Sequence, residues 1–505
     1  MQVANAYILV VMGILLAKAG GFLRDAVFAS SFGTDMAADI YLSVFGVASL
    51  IFTAVGSALS TLIIKNVNKP IYSQGNGQKC YAAHFIRQIS VIIMAVTAVL
   101  YVFAKPLVGL LLPGLTGAEA DTALTIMYIM LPSFLFISVA YMMSGLLQNR
   151  RVFFTPSIMS LPYNVIVICA LFLGVRDIVT ISMITTLGWF LHIVMLMPDF
   201  YRKGYSFFAS SASIRKGSGL DNTKETAFIF LSGLMFQLCF MIDKVFASFD
   251  AGMASTLSYA SNLFITFSGI FVVAMSSVVF PAISQNFEHG EMDYVRELLR
   301  YIIKLMMSIF VFYLVAVVFF GEDIIRIIYE RGAFTSESTH KVAQAFVIYS
   351  FGIFGYLAQN ILNKLFYLAG KYKVTVIGAI VVVVLKLCVD MLPIKGLGAN
   401  FAAITTTVLL TLYAVFIAIK LKGVIGKYLT KELGVTVVKI IVSAVGAVGA
   451  IVLTNALLPQ SIRSSMFGFI VPFGAALVVY GLIMLITGVL KDLFTTPLSK
   501  TAKSQ

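Results

Sequence analysis

The chain alternates long apolar stretches with short polar interruptions. Runs of about 20 residues, each long enough to cross ~30 Å of hydrocarbon as a helix, recur from end to end. Fourteen are distinguished, at roughly 3–31, 36–64, 83–104, 122–147, 154–174, 177–199, 225–249, 252–284, 297–320, 341–368, 373–393, 396–419, 435–458 and 465–490. They are too continuously apolar for the alternating pattern of an outer-membrane barrel. A helix satisfies its backbone polar groups within the segment, so the expected fold is an all-α polytopic membrane protein. The first run lacks a basic leader and a small-residue cleavage site, and is expected to be a retained helix.

The order of the runs carries a duplication. Asp25-Ala-Val-Phe-Ala-Ser30 in the first matches Asp243-Lys-Val-Phe-Ala-Ser248 in the seventh at an offset of 218. Ile51-Phe52 and Ser57 in the second match Ile270-Phe271 and Ser276 in the eighth at an offset of 219. Spans 1–6 and 7–12 therefore read as two copies of one six-helix unit, and an even number of spans makes the copies parallel. Repeats of this kind place a substrate site at their interface near the bilayer midplane. The expected organisation is an N-lobe over 1–200, a polar cytoplasmic linker over 201–224, a C-lobe over 225–420, and spans 13 and 14 with the C-terminal tail over 421–505.

Composition agrees: 60% of the 505 residues are hydrophobic, 11% are charged, and mean hydropathy is +0.98. The net charge of +14 is informative through its placement. Numbered from a cytoplasmic N-terminus, the even loops, their adjoining span ends and the tail hold 23 basic residues, whereas the odd loops hold 7. The positive-inside rule puts both termini in the cytoplasm, so the basic excess is a topology signal and nucleic acid is not an expected partner. Cys80, Cys169, Cys239 and Cys388 show no paired spacing and read as free thiols.

Ionisable residues within spans are functional candidates by default, because each costs several kcal/mol unless paired or hydrated. The first span holds Lys18, Arg24 and Asp25. Lys18 and Asp25, seven residues apart, share nearly one helix face, with Arg24 turned about 100° away. Gly20-Gly21 between them permits close approach or bending. One reading is a Lys18–Asp25 or Arg24–Asp25 pair that neutralises itself. The other is a cation site for an anionic head group, since two cations face one acid. In span 7, Asp243 needs a partner, while Lys244 either snorkels to the interface or serves the site. Lys386, mid-span in the eleventh run, has Asp390 one turn on, and a bridge to Asp243 is the alternative. Either Lys386 or Asp243 can carry a coupling proton or replace a cation site. The amides Asn164, Gln237, Asn262, Gln359, Asn360 and Asn363 read mostly as interhelical glue.

No GxxxxGK[ST] phosphate loop, HExxH, His/Cys ligand cluster or GxSxG elbow is present. Enzymatic chemistry and a resident metal are not expected, and a transporter or flippase is.

Four segments together resemble the MurJ (MviN) lipid II flippases of the multidrug/oligosaccharidyl-lipid/polysaccharide exporter superfamily. They are Gly21-Phe-Leu-Arg-Asp25 through Phe32-Gly33 to Ala38-Asp39; Gly145-Leu-Leu-Gln148 with Arg151, Phe154, Pro156, Pro162 and Asn164; Asp243 through Tyr259-Ala260 and Ser268-Gly269 to Phe280-Pro281; and Glu330-Arg-Gly-Ala-Phe-Thr335 with Phe366-Tyr367. The resemblance implies two six-helix lobes, an inward-open central cavity, alternating access, and a polyprenyl-tail groove formed by spans 13 and 14. It also implies cavity residues at Lys18, Arg24, Asp25 and Asp39, with Asn262 near a position where the family has arginine. Asp243 matches an acid the family can use for a coupling cation, so Na+ or H+ is the expected coupling ion and no other cofactor is implied. The chain departs from the family where Phe52-Thr53 replaces an arginine pair and Ser261-Asn262 replaces an arginine; Lys244 or Lys386 would restore some of that charge.

The expected function is a multi-pass flippase of the bacterial cytoplasmic membrane, not an enzyme, moving an undecaprenyl-diphosphate-linked sugar, lipid II, from inner to outer leaflet. Expected partners are that lipid, the surrounding membrane lipids and cell-wall synthesis proteins. Rival readings are a flippase for another polyprenyl-linked polysaccharide unit, a multidrug exporter, and a non-transporting wall-synthesis scaffold.

Overall fold

The computed structural model describes residues 2–68, 77–208, 223–392, 400–459 and 468–494, and every regular element among them is a helix. In chain order these are α1 (Gln2–Phe32), α2 (Met36–Val67), α3 (Gly77–Val102), α4 (Ala104–Leu111), α5 (Ala118–Met130), α6 (Ser133–Asn149), α7 (Phe154–Ser157), α8 (Leu161–Phe172), α9 (Ile178–Arg202) and α10 (Thr223–Ala247). They continue as α11 (Met253–Val278), α12 (Phe280–Glu288), α13 (Met292–Tyr329), α14 (Ser336–Phe351), α15 (Ile353–Leu368), α16 (Tyr372–Asp390), α17 (Asn400–Ile425), α18 (Lys431–Leu457), α19 (Ile470–Ile486) and α20 (Val489–Phe494).

Eight described helical segments are long and apolar enough to span a membrane, and the bent pair α14–α15, with 45° between its halves, makes a ninth. The shorter apolar helices α8 and α19, together with α1, α10 and α11 at 31, 25 and 26 residues, are consistent with the fourteen expected spans.

Local chemistry sets the breaks. Pro132 falls between α5 and α6, where its missing donor interrupts the helical ladder within one membrane-length segment. Asp177 caps α9, accepting from Thr180 N at 2.9 Å and Val179 N at 3.3 Å. Those bonds, led by the one from the Thr180 hydroxyl, hold its carboxyl below the ordinary aspartate range. Thr430 caps α18 in the same manner through Leu433 N at 3.3 Å.

Contacts divide the chain into two compact units. The first comprises residues 1–259, 331–338 and 383–402; the second comprises 260–330, 339–382 and 403–505. Within the first, α2 packs on α6, α6 on α9, α9 on α8 and α8 on α1, while α10 lies against α2 and α4. A run of stacked rings threads this bundle: Phe28–Tyr41 at 4.8 Å, Tyr41–Phe45 at 5.6 Å and Phe45–Trp189 at 5.5 Å. Stacked rings at these separations add to the packing beyond their buried area. They form a stiff wall beside the charged part of α1.

Within the second unit, α18 and α19 pair closely and pack on α13 around Phe320, Ile440, Ala447, Ala476 and Tyr480. The Tyr480 hydroxyl donates to Ser308 O at 2.7 Å, and Lys439 Nζ donates to Thr487 O at 2.8 Å. The outer faces of the pair expose Val438, Val445, Val452, Val478 and Leu485, as a lipid-facing surface does.

Candidate functional site

Helix α1 is continuous through Gly20-Gly21, and the glycines serve contact with α8 rather than a bend. A Cβ on Gly20 would lie 3.0 Å from Leu161 Cδ2 and 3.5 Å from Asn164 Nδ2. That approach brings Asn164 and Tyr163 to Arg24. The guanidinium donates from Nη1 to the Tyr163 hydroxyl at 2.6 Å and to Asn164 Oδ1 at 3.3 Å. It donates from Nε and Nη2 to Asp25 Oδ1 at 3.0 and 2.5 Å. Its carbon lies 4.9 Å from the Tyr163 ring centroid and 5.3 Å from that of Phe45, within cation–π range.

Of the two pairings open to Asp25, the structure thus contains Arg24–Asp25. Arg24 is a positioned and locally neutralised cation, its side chain 13% exposed. Lys18 is half-buried one face away and has no ion-pair partner among the described residues, so the positive surplus of α1 rests on it.

Of the two readings open to Lys244, the structure does not contain snorkelling. It is 7% exposed, and its ammonium points toward α2, 3.5 Å from Leu42 O. Gly46 makes the room: a Cβ there would lie 2.6 Å from Lys244 Nζ. The ammonium borders a cavity of about 10 Å³, the size of one water molecule, lined also by Ser43, Met127 and Met241.

Lys386 on α16 takes both of the acids its position allowed. Its Nζ lies 2.6 Å from Asp243 Oδ1 on α10 and 2.6 Å from Asp390 Oδ2 one turn along α16, and donates to Ala402 O on α17 at 3.2 Å. The side chains of Lys386, Asp243 and Asp390 are 0%, 0% and 1% exposed. Each charge is affordable in hydrocarbon only because the others compensate it.

Asp39 is not in the α1 cluster. It is 4% exposed and accepts backbone N–H bonds from Gly252 and Ser255, both at 2.6 Å, at the N-terminus of α11. There its charge complements the helix dipole. Around it, three of the motif segments converge. Tyr259 OH donates to Gly33 O at 2.9 Å, Ala333 N donates to Ser30 O at 2.9 Å, and Thr34 shares a hydroxyl bond with Ser338 at 2.8 Å. Gly332, at φ +62°, allows this contact, since a Cβ there would sit 2.2 Å from Ser30 O. Asn262, half-buried on α11, belongs to the second unit.

Sequence reasoning named Asn164 as interhelical glue and as part of a family motif, and missed Tyr163, Phe45 and the Ala402 carbonyl. Tyr163 stands between Pro162 and Asn164 of a quoted motif, which is the one signal that pointed to it.

A family profile described as "Lipid II flippase MurJ" matches residues 28–472. A probable lipid II flippase MurJ of Rhizobium tropici is 23% identical over 382 residues, covering 73% of this chain and 71% of the relative. The lipid II flippase MurJ of Thermosipho africanus is 22% identical over 415 residues, covering 81% and 83%. Among solved structures, "Lipid II flippase MurJ, inward closed conformation" superposes with a TM-score of 0.76 at 20% identity, covering 96% of this chain and 100% of that one. An inward-facing multidrug resistance transporter of the MATE family and MOP superfamily reaches 0.62 at 14% identity, covering 82% and 98%. These structural likenesses concern the fold. With a profile match over most of its length, this multi-pass helical chain belongs to the lipid II flippase MurJ family, whose members are transporters and not enzymes.

Proposed function

We propose that the protein moves lipid II, an undecaprenyl-diphosphate-linked peptidoglycan precursor, from the inner to the outer leaflet of the bacterial cytoplasmic membrane by alternating access. The observation that carries this reading is the Arg24 cluster. A guanidinium is held within a membrane helix by Tyr163, Asn164 and Asp25, and a second cation, Lys18, lies on the same helix without an ion-pair partner among the described residues. A diphosphate accepts paired N–H donors, and its charge competes with a single carboxylate for them. No bond need be made or broken, in keeping with a transporter. With both termini cytoplasmic, as the basic loops favour, the inside-negative potential assists outward movement by about 2.3 kcal/mol per negative charge per 100 mV.

Phe52 favours a second reading. Where the family resemblance leads one to expect an arginine pair, Phe52 is buried and stacks on Phe134 at 4.6 Å. The cations that remain serve the diphosphate, which a polyprenyl-linked unit carrying a different sugar shares.

The test is a leaflet-resolved assay of labelled lipid II in cells depleted of the native protein and supplied with variants at normal level. The unaltered protein restores outward movement and Arg24→Ala does not. Wild-type movement by Arg24→Ala removes the cluster from the mechanism. A protein that fails with lipid II but moves another undecaprenyl-diphosphate-linked unit supports the second reading.

A further inference from the structure

We propose that the ammonium of Lys386 is a tethered substitute for a metal ion: it fills an oxygen-lined monovalent-cation site that this protein does not load from solution. Three oxygens from three helices converge on one nitrogen, Asp243 Oδ1 from α10 at 2.6 Å, Asp390 Oδ2 from α16 at 2.6 Å and Ala402 O from the start of α17 at 3.2 Å. Two carboxylates and a backbone carbonyl form the donor set of a hard cation. An ordinary surface lysine pairs with one acid and keeps water on its other protons. Here the whole side chain is 0% exposed and the ammonium lies between two carboxylates.

The tether determines the function. A dissociable ion joining α10, α16 and α17 would make their packing respond to its concentration. Lys386 enters from one turn before Asp390 on its own helix and cannot leave, so these helices stay joined whatever ion is present. The site is then indifferent to a Na+ gradient. Removing the ammonium leaves two buried carboxylates facing each other, with room between them for a small cation.

The inference does not depend on which lipid is carried, and its test uses none. The purified full-length protein and its variants are melted in NaCl and in choline chloride of equal ionic strength, following the emission of Trp189, the only tryptophan, which is buried in the first unit. The unaltered protein melts at the same temperature in both salts. Lys386→Ala is destabilised in choline, and Na+ restores it saturably by at least ~3 °C. Lys386→Ala with Asp243→Asn, which removes one carboxylate, loses that Na+ response. Two results overturn the proposal: a saturable Na+ stabilisation of the unaltered protein that Asp243→Asn abolishes, or a folded Lys386→Ala that melts identically in both salts. Should Lys386→Ala fold in neither salt, the comparison of the unaltered protein with Asp243→Asn decides alone.

Discussion

Replacing Asp39 by alanine distinguishes a carboxylate that holds the fold from one that meets a head group. Asp39 is 4% exposed, and its two oxygens each accept a backbone N–H at 2.6 Å, from Gly252 and Ser255. Alanine removes both acceptors at a helix start. Loss of such a cap costs about 1 kcal/mol, and a buried donor left without a partner costs about 1–3 kcal/mol more. Lost charge–dipole attraction adds roughly 0.3–1 kcal/mol. The sum is about 2–5 kcal/mol, which for a unit of this size lowers the melting temperature by roughly 5 °C or more. Trp189, packed between Phe45 and Tyr163, reports the unfolding of this unit in purified protein. Asp39→Asn keeps one acceptor and is expected to fall between alanine and the unaltered protein. Flipping should decline in step with stability across the three. If Asp39→Ala melts with the unaltered protein yet no longer flips, the cap assignment is wrong and Asp39 serves the substrate.

Two further substitutions test the convergence of motifs and the entry to α9. Gly332→Ala pays the cost of a left-handed residue, about 1–2 kcal/mol, and also a clash with Ser30 O, whereas Gly174→Ala, at φ +86° with nothing within 4 Å, pays only the first. Gly332→Ala is expected to melt clearly lower than Gly174→Ala, and equal melting temperatures would deny the close approach. Asp177→Ala removes a cap worth about 1 kcal/mol. Because the folded carboxyl titrates below its unfolded value near 4, that stabilisation is present at higher pH and fades as pH falls through the folded value. The gap in melting temperature between Asp177→Ala and the unaltered protein should therefore be full at pH 7 and shrink in strong acid; a gap that grows in acid would contradict the assignment.

What could be read from the chain, and what could not, follows from the range of each interaction. Helices were legible because backbone groups in hydrocarbon must be satisfied within the segment, so apolar length alone locates them. The Lys386–Asp390 bond was legible for the same local reason, being one turn along a single helix. Asp243 lies 143 residues earlier, and only packing brings it within 2.6 Å of the same nitrogen. Neighbours on an ideal helix do not face each other, yet Arg24 reaches Asp25 with its guanidinium lying against the stacked rings of Tyr163 and Phe45. Spacing cannot reveal that wall. Lys244 shows the converse: a lysine near a helix end ordinarily reaches for water, but the missing side chain at Gly46 opens a buried alternative on α2. Glycines facing another helix are thus the feature of this sequence most easily underread. Gly20 admits Asn164, Gly46 admits Lys244 and Gly332 admits Ser30, and each absent Cβ decides where a polar or charged group can lie in a membrane protein.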